Sequence, residues 1–158
     1  MKVRLDAVDW KILDALQTNG RITNVELARR AGISAPPCLR RVRALEESGI
    51  IEGYRTLLDE KQLGFDLTAF AHVGLKNQTE AELVRFEDQL RGWSIVREAW
   101  MVSGEVDFVL FCITDTLRSF QTFVIETLTA AENVESVRTS LTIRQSKTEA
   151  RVPIAIAP

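Results

Sequence analysis

Six arginines (Arg21, Arg29, Arg30, Arg40, Arg41 and Arg43) stand between positions 21 and 43, with Glu26 as the single acid among them. Such a one-sign cluster suits a polyanion. Guanidiniums neutralise phosphates and pair bidentately with guanine edges, whereas a solvated helix face normally mixes its charges. Three of the six lie in the stretch 34–49, which reads as one helix. Ser34 is its expected N-cap, Pro36 and Pro37 suit a first turn that needs no intrahelical N–H, and Gly49 is the stop. On a helical wheel Cys38, Leu39, Val42 and Leu45 cluster, Pro36, Arg40 and Ala44 point the opposite way, and Arg41 and Arg43 flank that outer side. The short residues Ser34, Ala35 and Pro36 would let the backbone approach base edges in a major groove, with arginines behind them and Arg29 and Arg30 upstream. Taken alone, the helix also reads as an ordinary surface helix with i,i+4 charge pairs.

The segments upstream favour the first reading. Asp6 and Asp9 form a capping arrangement, with Leu5 and Trp10 at hydrophobic-staple positions. Ile12, Leu13 and Leu16 make an apolar stripe that ends at Asn19-Gly20. A second capping box, Thr23 to Glu26, opens a short helix carrying Val25, Leu27 and Ala28. Gly32 closes it, and Ile33 sits in the tight turn before Ser34. Helix, short helix, turn and arginine-faced helix is the helix-turn-helix pattern. Residues 50–58 read as an extended wing strand, and 59–64 as a polar connector. The expected division is therefore 1–60 for DNA and 61–158 for a second domain.

There the hydrophobic period changes from helical to alternating. Residues 67–76 read as a strand with Leu67, Ala69, Ala71, Val73 and Leu75 on one face and Phe70 and His72 on the other. Apolar residues on both faces point to helices against one side and a subunit interface on the other. A helix from Thr79 to about Gly92 follows, carrying Leu83, Phe86 and Leu90. Strands at 95–102 and 106–114 flank a turn at Ser103-Gly104-Glu105. A helix from Leu117 to about Ala131 and a strand over 134–144 complete a β-α-β-β-α-β order, the ferredoxin-like arrangement within an α+β chain. The apolar tail 152–158 is a candidate edge strand that its prolines limit.

Composition excludes several classes. At 158 residues, 46% hydrophobic and 27% charged, the chain is globular. It has no apolar run of membrane-spanning length and no signal-peptide core, so a cytoplasmic protein without membrane association is expected. Two isolated thiols, Cys38 and Cys112, suit a reducing compartment. His72 is the sole histidine, and no second ligand stands at metal spacing. There is no Ser-His-Asp set, P-loop or dinucleotide fingerprint, so neither an enzyme nor a cofactor is expected. Net charge is −2, but residues 1–60 carry ten basic and nine acidic groups against ten and thirteen in 61–158. A local basic patch steers DNA despite that total, because screening confines fields to about 8 Å.

Several stretches together resemble the Lrp/AsnC family of transcription regulators: Leu5-Asp6-x-x-Asp9-x-x-Ile12-Leu13, Asn19-Gly20-Arg21-Ile22, Pro37-Cys38-Leu39-x-Arg41-Val42-x-x-Leu45-Glu46, Gly49-Ile50-Ile51-x-Gly53-Tyr54 and Val102-Ser103-Gly104-x-x-Asp107. They run through both halves in order. The resemblance implies an N-terminal winged helix-turn-helix joined to a βαββαβ effector and oligomerisation domain. It also implies homodimers that assemble into tetramers or octamers on double-stranded DNA, and a small effector of the amino-acid class.

By that resemblance Val102, Ser103, Gly104 and Asp107 belong to an amino-acid-binding turn, and Met101, Leu117, Ser140, Leu141 and Thr142 align with the effector pocket. The chemistry is sound: a glycine turn exposes N–H groups to an α-carboxylate, and Asp107 can accept from an α-ammonium. Without the resemblance the same residues read as a hairpin turn. Ser140 is a small hydroxyl where the leucine-responsive member has an aromatic residue, so leucine itself is not implied. The rivals to an effector-responsive regulator are an architectural DNA binder that needs no ligand and a metabolite-sensing enzyme subunit.

Overall fold

A computed structural model describes residues 4–148 and 152–154. The chain forms two compact units, Met1–Leu57 with Lys147–Pro158, and Leu58–Ser146. The tail groups with the first unit. Its ties there are Gln17 Nε2, which donates to the Val152 carbonyl at 3.2 Å, and Ile154, which packs on the first unit's core. Val152 to Ile154 join no strand; the remainder of that candidate edge strand lies outside the described residues.

The first unit consists of α1 (Ala7–Thr18), α2 (Asn24–Ala31) and α3 (Ala35–Glu47). Asp6 and Asp9 close the expected capping box on α1. Thr23 caps α2 by accepting from the Glu26 N–H, but the Glu26 carboxylate turns to Arg29 and Arg30 instead of closing a second box. Gly32, at φ 75°, reverses the chain and lets the Ile33 N–H reach the Ala28 carbonyl, which sets the tight turn. Ser34 stands at the N-cap of α3 without a side-chain cap bond. The donors its hydroxyl would meet are Pro36 and Pro37, which have no N–H.

The core of this unit is Ile12, Leu13, Ala15, Leu27, Ala28, Ala31, Cys38 and Leu45. Val25 of α2 is 72% exposed; Leu39 is 41% exposed, so it does not belong to the inward stripe that the wheel suggested. Cys38 and Leu45, seven residues apart, centre that face, and Leu39 falls about 100° from Cys38. Trp10 is also exposed. Residues 50–58 run without helix or strand and join no sheet among the described residues, so the expected wing strand is not formed there. Tyr54 holds the segment back toward α3 through a 2.9 Å bond from its hydroxyl to Glu46.

The second unit holds β1 (Leu67–Leu75), α4 (Glu80–Gly92), β2 (Val96–Met101), β3 (Phe108–Thr114), α5 (Leu117–Thr122) and β4 (Val134–Leu141). The sheet order is β2-β3-β1-β4 with every pair antiparallel, the ferredoxin-like topology expected. Ala69, Ala71, Val73, Leu75, Phe108, Leu110 and Cys112 share a core with Phe86 of α4 and with Phe120, Phe123 and Leu128 of the second helical segment. The α5 segment does not continue to Ala131 as one α-helix; it widens over Phe123–Leu128 into a π-helical turn, with Thr129 N–H bonded to the Val124 carbonyl. The wider turn brings Phe123 and Leu128, five residues apart, toward the same core. β4 stops at Leu141 and not at Arg144: beyond the Ala69–Leu141 pair the Thr142 N–H still reaches the Thr68 carbonyl at 2.9 Å, and the described residues after it join no strand. Phe70, His72, Val109 and Phe111 occupy the opposite sheet face, half-buried, with the two phenylalanine rings 5.4 Å apart.

Candidate nucleic-acid interface and ligand site

The exposed side of α3 and its cap presents Ser34, Pro36, Leu39, Arg40, Arg43 and Ala44. Ala35 is half-buried, and its carbonyl accepts a 2.8 Å bond from Asn24 Nδ2, which ties the start of α2 to the start of α3. The six arginines divide evenly. Among the described residues no carboxylate pairs with Arg21, Arg40 or Arg43. Arg29 and Arg30 both bind Glu26, at 2.7 and 3.1 Å, and Arg41 Nη1 binds Asp6 at 2.8 Å and Asp9 at 2.7 Å. Those bonds, from Arg29 first, pull the Glu26 carboxyl down to about 2. The Asp6 carboxyl is lowered chiefly by the Asp9 backbone N–H, and the Arg41 guanidinium is raised chiefly by Asp9. Two features escaped the sequence reading: Leu39 stands among the outward residues, and Asn24 anchors the helix start. The i, i+3, i+7 spacing of Cys38, Arg41 and Leu45 was the available signal that Arg41 leans inward.

In the second unit, Gly104 adopts φ 136°, a region that favours glycine, at the tip of the β2–β3 connection. Val102 N–H bonds to the Asp107 carbonyl and closes this hairpin. Among the described residues the backbone N–H groups of Ser103 to Glu105 have no partner. Asp107 is half-buried, and its Oδ2 accepts from the Leu75 N–H at 2.6 Å, fastening the start of β3 to the end of β1. Leu117 and Leu141 line an apolar groove of about 370 Å³ with Phe120, Val124, Ile125, Gln121 and Thr139. Ser140 is paired with Phe70 on the other sheet face and does not line it. Thr142 Oγ1 is buried without a partner among the described residues. Met101 lines a separate hollow of about 390 Å³ beside α4.

One chain therefore does not gather the nine ligand candidates. Phe108, next to the Gly104 turn, pairs with Val73, whereas Thr114, just before Leu117, pairs with Leu67. Six residues of strand separate these levels, about 20 Å. Met101 and Leu141 also lie on opposite edge strands.

An arginine-bearing helix-turn-helix followed by a ferredoxin-like unit defines a DNA-binding regulator of two-domain type. Residues 5–52 match the winged helix-turn-helix DNA-binding family, and residues 68–152 match the Lrp/AsnC ligand binding domain. The chain is 62% identical over 154 residues to the leucine-responsive regulatory protein of Rhizobium meliloti (strain 1021), covering 98% of this chain and 99% of that one. The crystal structure of a Neisseria meningitidis transcriptional regulator in complex with L-Met superposes with TM-score 0.90 at 34% identity, covering 95% and 97% of the two chains. An AsnC family transcriptional regulator from Agrobacterium tumefaciens gives 0.88 at 27% identity over 94% and 97%. The chain belongs to the Lrp/AsnC family and is a DNA-binding transcription regulator with a ligand-binding domain. None of its described helices is long and apolar enough to cross a membrane.

Proposed function

We propose that this regulator, a cytoplasmic non-enzyme, reads duplex DNA through Ser34, Ala35, Pro36, Arg40 and Arg43, with Arg21, Arg29 and Arg30 beside the phosphates, and that a free amino acid governs its assembly. The observation that carries the effector reading is the likeness, over nearly the entire chain, to a regulator crystallised with L-Met. The unpartnered N–H groups around Gly104 suit an α-carboxylate. The Leu117–Leu141 groove suits an apolar side chain. Because these lie at opposite ends of the sheet, a complete site takes its turn from one copy and its groove from another. Copies pair through the sheet face bearing Phe70 and Phe111, and dimers join into tetramers or octamers. Calorimetry of the full chain with the twenty amino acids tests the effector reading. Binding of an apolar amino acid, with a change in assembly size by light scattering, is expected; no heat with any of them would leave an effector-independent DNA binder.

A further inference from the structure

Arg41 is chemically unlike the arginines on either side of it. Asp6 and Asp9 each spend one oxygen on the cap of α1: Asp6 Oδ1 accepts from the Val8 and Asp9 N–H groups, and Asp9 Oδ2 accepts from the Asp6 N–H. The second oxygen of each converges on Arg41 Nη1. Both carboxylates are therefore already fixed in place when Arg41 meets them, and Asp9 is only 13% exposed. Two acids around one guanidinium leave the cluster net negative, so it offers no attraction to a phosphate. Its helical position agrees: Arg41 follows Cys38 by three residues and precedes Leu45 by four, and both of those are buried. Arg40 and Arg43 lie on the other side.

We propose that Arg41 is a positioning residue, which pins the rotation of α3 against the capped N-terminus of α1 so that Arg40 and Arg43 meet base edges, and that it does not contact DNA itself. This rests on the reading that α3 faces the duplex. The lever is short. Side-chain tips lie about 5–6 Å from a helix axis, so a rotation of about 20° moves them about 2 Å. That displacement is enough to lose a hydrogen bond.

The test measures binding of the full-length protein to a duplex that it selects from a random library, and to unselected duplex, across salt concentrations. Arg41→Met should lower the ratio of selected to unselected affinity at least tenfold while leaving the salt slope of unselected binding as in wild type. Removal of a phosphate contact would instead flatten that slope by about 0.9 and weaken both duplexes alike. Asp9→Asn keeps a side chain that can accept at the cap and removes one of the two charges that hold the guanidinium, leaving Asp6 alone on it. Positioning predicts weaker selected binding, whereas a phosphate-contacting arginine predicts tighter binding and a steeper slope. Either of the latter results overturns the proposal. So does an unchanged ratio in folded Arg41→Met well below its melting temperature, which would leave Arg41 a stabilising residue only. Should Arg41→Met fail to fold, Asp9→Asn decides. Arg40→Ala is run alongside: if it binds like wild type, the helix face is wrong, irrespective of Arg41.

Discussion

The two units carry function in different ways. The outward residues of the first lie on one face of one helix, within a single chain. The ligand candidates of the second lie at two ends and two edges of one sheet, about 20 Å apart along β3. A linear stretch can encode the former, because helical period turns spacing into a face. In the proposed function the latter depends on how copies meet. Base recognition, in that proposal, is thus a local property of α3, and ligand recognition a property of the assembly.

The largest effect should come from splitting the ligand site deliberately. Gly104→Val forces a branched residue into φ 136° and should abolish amino-acid binding. Leu117→Asp places a charge in the apolar groove but suits the first turn of α5 electrostatically, so the fold should survive. Each variant alone should bind no amino acid by calorimetry. Co-expressed, they should recover roughly a quarter of the sites by random pairing of copies. Absence of recovery would mean that one chain holds the whole site.

On the DNA side, Arg40→Ala and Arg43→Ala should each cost about 1–3 kcal/mol where the contact is to a base, or flatten the salt slope by about one where it is to a phosphate. Fluorescence anisotropy across salt concentrations reads both. Wild-type binding by both variants would remove α3 from the duplex and reverse the comparison.

Asp107 tests whether a residue in the second unit serves fold and ligand together. Its Oδ2 receives the Leu75 N–H, so Asp107→Ala should destabilise that unit by about 1.5–3 kcal/mol in urea unfolding. Asp107→Asn retains an acceptor for that N–H but loses the charge. It should unfold near wild type while binding the amino acid about tenfold more weakly, about 1.4 kcal/mol. If both variants bind ligand like wild type, Asp107 only fastens β3 to β1.

The element order was legible in the sequence because caps and alternation are local. Asp6, Thr23 and Gly32 each mark a terminus where the structure has one. What escaped was tertiary. The wheel grouped Leu39 with the core because it counts apolar residues, whereas the true face is set by what α1 offers, including two carboxylates for Arg41. The run of arginines read as one basic surface, since charge counting does not reveal that Glu26 binds two of them. The tail follows the second domain in sequence; Gln17 and the core around Ile154 hold it to the first unit. The ligand residues came from resemblance, and resemblance does not state which copy supplies them.

The smallest expected effect concerns the paired arginines. Glu26 holds Arg29 and Arg30, and its carboxyl lies at about 2, below its ordinary 4.5. A depressed carboxyl stabilises the fold above its ordinary value, and that contribution disappears as pH falls from about 4.5 toward 2. The pairs are exposed to solvent, so the contribution is small and salt weakens it further. Glu26→Gln should therefore unfold slightly more easily than wild type at neutral pH, with the two denaturation curves converging across that acid window. Its effect on DNA should have the opposite sign. Freed guanidiniums release counterions on meeting phosphates, so the salt slope should steepen by about 0.9 for each arginine that reaches the backbone. Arg40→Ala flattens the same slope where its contact is to a phosphate. The pair of variants then distinguishes arginines that the fold leaves available from arginines that it occupies. An unchanged slope in Glu26→Gln would place Arg29 and Arg30 away from the duplex and confine the interface to α3 and Arg21.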